Sequence, residues 1–464
     1  MSIRSNLTIF SRRSAFKRAL GASALAGLFK LAEPSTDAQG RAPGAPVTLN
    51  PNSAPSDLKI TDVRALTIAA NYDYPIIRID TNQGVYGLGE VRDAGGKDNA
   101  LIYKGLLLGK NPTQFRQILR QIRQFTSWGR QAGGYSAIDI ALHDLAGKVQ
   151  GVPAWRLEAD AKKRDKVRIY ADTTSSNDTK IYAERMRKRK EMGITFFKMD
   201  LQSSLVANKP GATSAGSRAL NEKGLGYLCE FIAAIRDVIG DAPLAADHFG
   251  ALTVEDAIRY AKAFEPYKLA WAEDLINWRD WRGYKQIKAN TKTPILTGED
   301  IFGLQGGFDE LIRENAVDIV HCDPGSSGGI GETKVIADAA VKQSIQVAIH
   351  YAGSPVGCMA ACHMIATIDN FVAMENHALD MPWWQDLVKG PPKPIIDKGY
   401  ITVPDTPGIG VELNEDVVKE HLREPGYFAS TKEFDNIKLM GFHSGGPWPH
   451  FDDDGKWCNC VSYE

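Results

Sequence analysis

PLAAD (243–247), KLAWAE (268–273), PILTGE (294–299), VDIVHCD (317–323), QVAIH (346–350) and FVAME (371–375) decide the fold of this chain. Each is a short run, apolar for the most part, that ends on an acid or an imidazole: Asp247, Glu273, Glu299, Asp323, His350 and Glu375. Successive members of this set lie 24 to 27 residues apart. About 25 residues is what one strand, one helix and two short loops require in a βα repeat. In a (β/α)₈ barrel the strand C-termini open on one face, where the active site is assembled. Six groups far apart in sequence are therefore expected on one rim. The repeating units share no sequence motif, so the period is not that of a solenoid.

Working outward, VRIYAD (167–172) and ITFFKMD (194–200) supply two earlier strands of the same series. Helical patterns alternate with the strands, from TKIYAERMRKRKEMG (179–193) to CMAACHMIATID (358–369). Upstream the style changes. Residues 57–80 read as two strands, and the turn TNQG (81–84) leads into a third, VYGLGEV (85–91). Helical patterns follow in NALIYKGLLLG (99–109), TQFRQILRQIRQF (113–125) and YSAIDIALHDLAGKVQG (135–151). Strands first and helices second describe an α+β unit. The expected division is 57–165 for this capping domain, 166–395 for the barrel, and 396–464 for a C-terminal segment that returns to the cap.

At 464 residues the chain has room for more than one domain. Apolar content of 43% and charged content of 24% are ordinary for a globular protein. A formal net charge of −1 gives no reason to expect nucleic acid or an anionic membrane as partner. Beyond the N-terminus no apolar run is long enough to span a bilayer. Residues 1–38 read as an export signal: Arg12-Arg13, then Phe16 and Lys17, precede a mildly apolar Ala/Gly stretch. This is the pattern of twin-arginine signals, with Ala15 where Phe is usual, and it predicts a periplasmic protein after a linker at 39–56. The six cysteines do not have the spacing of a disulfide scaffold, and Cys458 and Cys460 read as structural or unpaired, with an oxidised pair or a weak metal site as the alternatives.

Asp247, Glu273 and Glu299 are hard oxygen ligands, suited to Mg²⁺ or Mn²⁺ and ill suited to Zn²⁺. A single acid at a strand end is more often a helix cap or an ion-pair partner. Three at successive strand ends point to a divalent metal.

At these residues the chain resembles the enolase superfamily, and within it the mandelate racemase/muconate lactonizing enzyme branch. The resemblance spans nearly all of residues 57–425. It is carried by GVYGLGE (84–90), SAIDIALHDLAGKVQGVPAWRL (136–157), FFKMD (196–200), AADHF, WAED, TGED, HCDPGSSGGIGET (321–333), VAIHYAGSPVG (347–357), MEN (374–376) and VPDTPGIGVEL (403–413). It implies a modified TIM (β/α)₇β barrel under an α+β capping domain, and Mg²⁺-assisted removal of a proton α to a carboxylate. It places His350 as the base with Asp323 as its partner, and Glu375 as a carboxylic acid that hydrogen-bonds the developing oxyanion.

Two departures bear on mechanism. Racemases of the family carry Lys-x-Lys on the second barrel strand, whereas this chain has Lys198-Met199-Asp200. Lys198 can neutralise the substrate carboxylate, and Asp200 stands as an alternative acid or base. Some sugar-acid dehydratases place a His two residues after the first metal ligand; here His248 follows Asp247 directly and Phe249 holds the expected place. Strand alternation turns His248 away from the site unless the strand end twists. Tyr72, Tyr74, His248 and Trp383 are the candidate substrate contacts, and 202–225 a candidate mobile lid.

The leading expectation is a Mg²⁺-dependent dehydratase of a polyhydroxy acid, with a small acid sugar as partner and a homo-oligomer as assembly. A racemase or epimerase is the alternative within the fold. An exported sugar-acid-binding protein with a residual metal site is the alternative outside catalysis.

Overall fold

The computed structural model describes residues 57–126, 132–214, 219–249, 252–437, 439, 450–451 and 457–458. The export signal, the linker and Cys460 lie outside the described residues. Strands β1 (Ile60–Ile68), β2 (Tyr74–Thr81) and β3 (Tyr86–Glu90) form an antiparallel sheet in sequence order. The long α2 (Gly133–Gln150) packs on it, and helix α1 (Phe115–Arg123) packs against α2. Nearly every residue of α2 is buried, because the helix has the cap sheet on one side and the barrel on the other. The glycines of GLGE make that contact possible. A Cβ at Gly89 would lie 2.0 Å from the Ala137 carbonyl oxygen of α2. NALIYKGLLLG, expected as one helix, forms two single turns, Asp98–Leu101 and Lys104–Leu107.

The regular rhythm gives eight parallel strands: β4 (Lys166–Ala171), β5 (Phe197–Asp200), β6 (Leu244–Asp247), β7 (Trp271–Glu273), β8 (Ile295–Thr297), β9 (Ile319–Cys322), β10 (Gln346–Ile349) and β11 (Phe371–Asn376). They pair in that order, and β11 pairs with β4, so the barrel is closed. The helices between them are α3 (Thr179–Glu191), α4 (Glu222–Ile239), α5 (Val254–Phe264), α6 (Trp281–Ala289), α7 (Asp309–Arg313), α8 (Gly329–Val341) and α9 (Pro355–Ile365). Among the described residues, one such crossover helix for each of seven strand-to-strand connections, with an extra turn at Pro324–Ser327, is the (β/α)₇β arrangement.

Inside the barrel Tyr170, Phe196 and Trp271 pack with Leu296, Ile319 and the small Ala245, Ala348 and Ala373. Large side chains from some strands meet small ones from others, which fills the interior. Outside, the strands pack on the helices through Val167, Ile169, Met199, Val320 and Ile349. Burial on both faces is why these strands read as continuous apolar runs rather than as alternation.

The tail departs from expectation at its start. The hairpin β12 (Ile396–Asp397) and β13 (Tyr400–Thr402) does not go to the cap; β13 pairs antiparallel with β4. The early part of β4 has no parallel partner on that side, so its backbone groups accept the hairpin. Further along, Leu422 bridges to Ile68, and Thr431 donates to the Val63 carbonyl of the cap.

Candidate active site

The strand ends bring the six periodic residues together with Lys198. Lys198 is buried on β5, with Nζ 2.8 Å from Asp247 Oδ2, 3.3 Å from Glu273 Oε1 and 2.7 Å from Glu375 Oε1. Burial opposes an ammonium ion, but these carboxylates outweigh it and hold Lys198 well above the ordinary lysine value. It is a fixed positive charge in this setting.

His350 Nδ1 donates to Asp323 Oδ2 at 2.6 Å, which leaves Nε2 facing Glu299 Oε2 (3.5 Å) and Glu375 Oε2 (3.8 Å). Burial first, then Arg92, hold this imidazole well below its ordinary value, with Glu299 and Glu375 acting against them. A neutral ring with its Nδ1 proton committed to Asp323 presents Nε2 as a base.

Glu375, expected as the carboxylic acid facing the developing oxyanion, lies at the centre of the cluster. Its oxygens face Lys198 Nζ, His377 Nε2 at 3.0 Å and the Tyr170 hydroxyl at 3.0 Å. Burial favours the acid form, yet Lys198 and His377 hold the group well below the usual carboxylate range. As it stands, Glu375 accepts from the Tyr170 hydroxyl and pairs with Lys198 and His377.

Several groups at the site were not singled out from sequence. Arg92, just past β3 of the cap, is buried against the barrel rim with Nε 3.2 Å from Asp323 Oδ2 and Nη2 3.2 Å from Glu299 Oε1. Two residues earlier, Glu90 accepts from Ser354 N and Oγ (2.7 Å each), Gly357 N (2.8 Å) and the Tyr351 hydroxyl (3.0 Å). The segment just after His350 is thereby held by the cap. His321 Nδ1 lies 3.1 Å from Glu273 Oε1, and its Nε2 lies 2.8 Å from the Tyr170 hydroxyl. Although burial opposes its charge, Glu273 raises His321 to about 9. The nearest signal for Arg92 was the GLGEVRD run; no strand period marks it.

Asp247 and Glu273 are buried, Glu299 is partly buried, and all three offer only oxygen donors. Burial and Glu273 push Asp247 above the usual carboxylate range, with Lys198 opposing. Three converging carboxylates, all hard oxygen donors, fit Mg²⁺. The three are not drawn within 4.8 Å of one another; among the described residues such tight sets include Asp200–Asp247–His248.

Residues 52–157 match the model of the mandelate racemase/muconate lactonizing enzyme N-terminal domain, and residues 181–417 the enolase C-terminal domain-like model. The chain belongs to the mandelate racemase/muconate lactonizing enzyme family of the enolase superfamily. It is 34% identical over 386 residues to D-xylonate dehydratase of Haloferax volcanii, covering 81% of this chain and 92% of the relative. A D-galactonate dehydratase family member from Marinomonas sp. is 28% identical, over 80% of this chain and 96% of its own. The crystal structure of a mandelate racemase/muconate lactonizing enzyme-like protein from Rubrobacter xylanophilus superposes with a TM-score of 0.74 at 30% identity, covering 80% of this chain and 99% of that one.

Within this family member the remaining expected residues divide. His248 takes a left-handed backbone, φ 60°, and that twist swings its exposed ring toward the site. Its Nε2 lies 3.5 Å from Asp247 Oδ2 and 3.7 Å from Asp200 Oδ1. Burial, then Asp172, raise Asp200 to about 7, against His248 and Lys198. Phe249 turns into the core and stacks on Phe264. Tyr72, 39% exposed, sets its edge against His377 at 5.5 Å. Tyr74 is not open to a substrate: it is buried, and its hydroxyl donates to Asn71. Trp383 stacks on His421 of the tail at 3.9 Å. In the lid segment Leu205, Val206, Ala212 and Leu220 are buried in the core. Among the described residues no helix is long and apolar enough to cross a membrane.

Proposed function

We propose that this protein is a Mg²⁺-dependent dehydratase that converts a polyhydroxy acid to a 2-keto-3-deoxy acid. The observation that carries the reading is the Asp323–His350 pair, with a neutral Nε2 aimed into a ring of carboxylates anchored by Lys198. Relatives named as sugar-acid dehydratases support the same class of substrate.

A proton α to a carboxylate is very weakly acidic, so its removal needs a base and strong counter-charge. Asp247, Glu273 and Glu299 would hold Mg²⁺, which when bound supplies Lewis-acid stabilisation to the substrate carboxylate. His350 Nε2 takes the C2 proton. Asp323 fixes the tautomer of His350 and supports the imidazolium once formed. Lys198, kept charged by its three carboxylate neighbours, adds a fixed positive field as negative charge builds on the substrate. Departure of the C3 hydroxyl as water then gives an enol that tautomerises to the keto acid.

Epimerisation is the second reading, favoured by Asp200, whose value of about 7 suits a second acid/base group. The test is a panel of aldonates, including D-xylonate and D-galactonate, with Mg²⁺ in deuterated buffer. Keto acid is the expected product. Deuterium in recovered substrate or its epimer without any keto acid would refute dehydration in favour of epimerisation. For localisation we propose export by the twin-arginine-like segment, tested by fractionating cells that express the full chain with and without Arg12→Lys and Arg13→Lys.

A further inference from the structure

His377 has no part in the mechanism so far, yet it lies at its centre. It stands two residues beyond Glu375, where β11 gives way to a loop. Its Nδ1 is 3.2 Å from Asp172 Oδ2 at the end of β4, and its Nε2 is 3.0 Å from Glu375 Oε1. His350 approaches the other oxygen of the same carboxylate, Oε2, at 3.8 Å. The two imidazole centroids are 6.0 Å apart. Two His–Asp pairs therefore meet across Glu375, one from β9 and β10, the other from β4 and β11.

The two pairs are built differently. Asp323 shares its charge with Arg92, 3.2 Å away, and His350 stays neutral. His377 is flanked by anions. Burial opposes its charge, but Asp172 and Glu375 outweigh burial and hold it well above the ordinary imidazole value. A loop of the cap closes over it: Asn71 Nδ2 donates to the His377 carbonyl at 3.1 Å, and the partly exposed Tyr72 meets the ring edge. The imidazole thus lies between the buried acids and the partly exposed Tyr72.

Resting on the dehydratase reading, we propose that His377 is the general acid of the elimination. His377 passes its Nε2 proton to the C3 hydroxyl while His350 Nε2 receives the C2 proton. The C2–H and C3–O bonds break, a C2=C3 double bond forms, and water leaves. When the enol becomes the ketone, C3 takes the proton from His350 and the enol O–H proton returns to His377. Both side chains end as they began, and no oxidant or reductant is needed. Two separate imidazoles spare one group from being acid and base in turn.

The test compares the native chain with His377→Asn on D-xylonate, or the aldonate found in the panel, and on its 3-deoxy-3-fluoro counterpart. Fluoride leaves without a proton, so it needs the base but not the acid. His377→Asn is expected to slow water loss by roughly 10²–10⁴-fold, the scale of a positioned general acid. It should keep fluoride release near the native rate and let deuterium enter C2 of recovered substrate. Fluoride release that falls as far as water loss would mean that His377 only supports the fold, and the proposal is overturned. Unchanged water loss in His377→Asn overturns it alone, leaving the dehydratase reading standing. A native chain inert to every aldonate overturns that reading, and the acid's role falls with it.

Discussion

Replacing Arg92 with Met keeps the bulk of the side chain and removes its charge. Arg92 is buried and pairs with Asp323 and Glu299 at 3.2 Å each and with Asp300 at 3.5 Å. Removing one partner of a buried ion pair leaves the other charge uncompensated, at a cost of about 3–5 kcal/mol. The exposed Arg187–Glu184 pair is a built-in contrast, worth under about 1 kcal/mol. Chemical denaturation of Arg92→Met and Arg187→Ala should separate the two clearly. A second effect follows from His350. Burial and Arg92 both depress its proton affinity, so in the folded state it sits below the reference value of 6.5. As pH falls through that reference value the unfolded chain takes up the proton first. The stability that neutral His350 contributes is therefore present above about 6.5 and lost as pH drops toward the folded value. Without Arg92 the folded value climbs, since a depressing charge is gone and Asp323 is freed to favour the imidazolium. The acid limb of the kcat/KM–pH profile should then move to higher pH. A variant with native stability and an unmoved acid limb would refute the view that the cap sets the protonation of the base.

Other outcomes follow from the same geometry. Glu299→Gln should weaken Mg²⁺ binding measured by calorimetry, with lost activity partly recovered at high metal concentration. His350→Asn should retain metal affinity while losing roughly 10²–10⁴-fold in turnover, because it removes the base alone; near-native α-proton exchange would move the base to Asp200. Phe249→Ala should cost about 3–5 kcal/mol of stability, since the ring is buried against Phe264 in the core. Any activity lost there should follow the folded fraction rather than KM.

Much of the barrel was legible in the chain itself. Strands buried on both faces must be apolar, and a βα unit has a nearly fixed length, so recurring runs each closed by an acid or imidazole disclosed both the barrel and its rim. Chemistry on the strands was legible for the same reason: residues such as Lys198, Asp247 and Glu273 face inward by the register of their own strand. Where the chain turns after those residues, no such period applies. His248 reaches the site only because its backbone turns left-handed, and Phe249 leaves for the core by the same twist. His377 meets Asp172 because closure of the barrel sets β11 beside β4, the last strand of the series against the first. Arg92 reaches Asp323 and Glu299 from a separate domain, through a sheet whose Gly89 lets it press against α2. The ionisation of Glu375 depends on Lys198 and His350 arriving from other parts of the chain, alongside His377 two residues on. Periodicity is local and could be read in one dimension. Charge state and the company of each acid are sums over neighbours in space, and only the tertiary structure decided them.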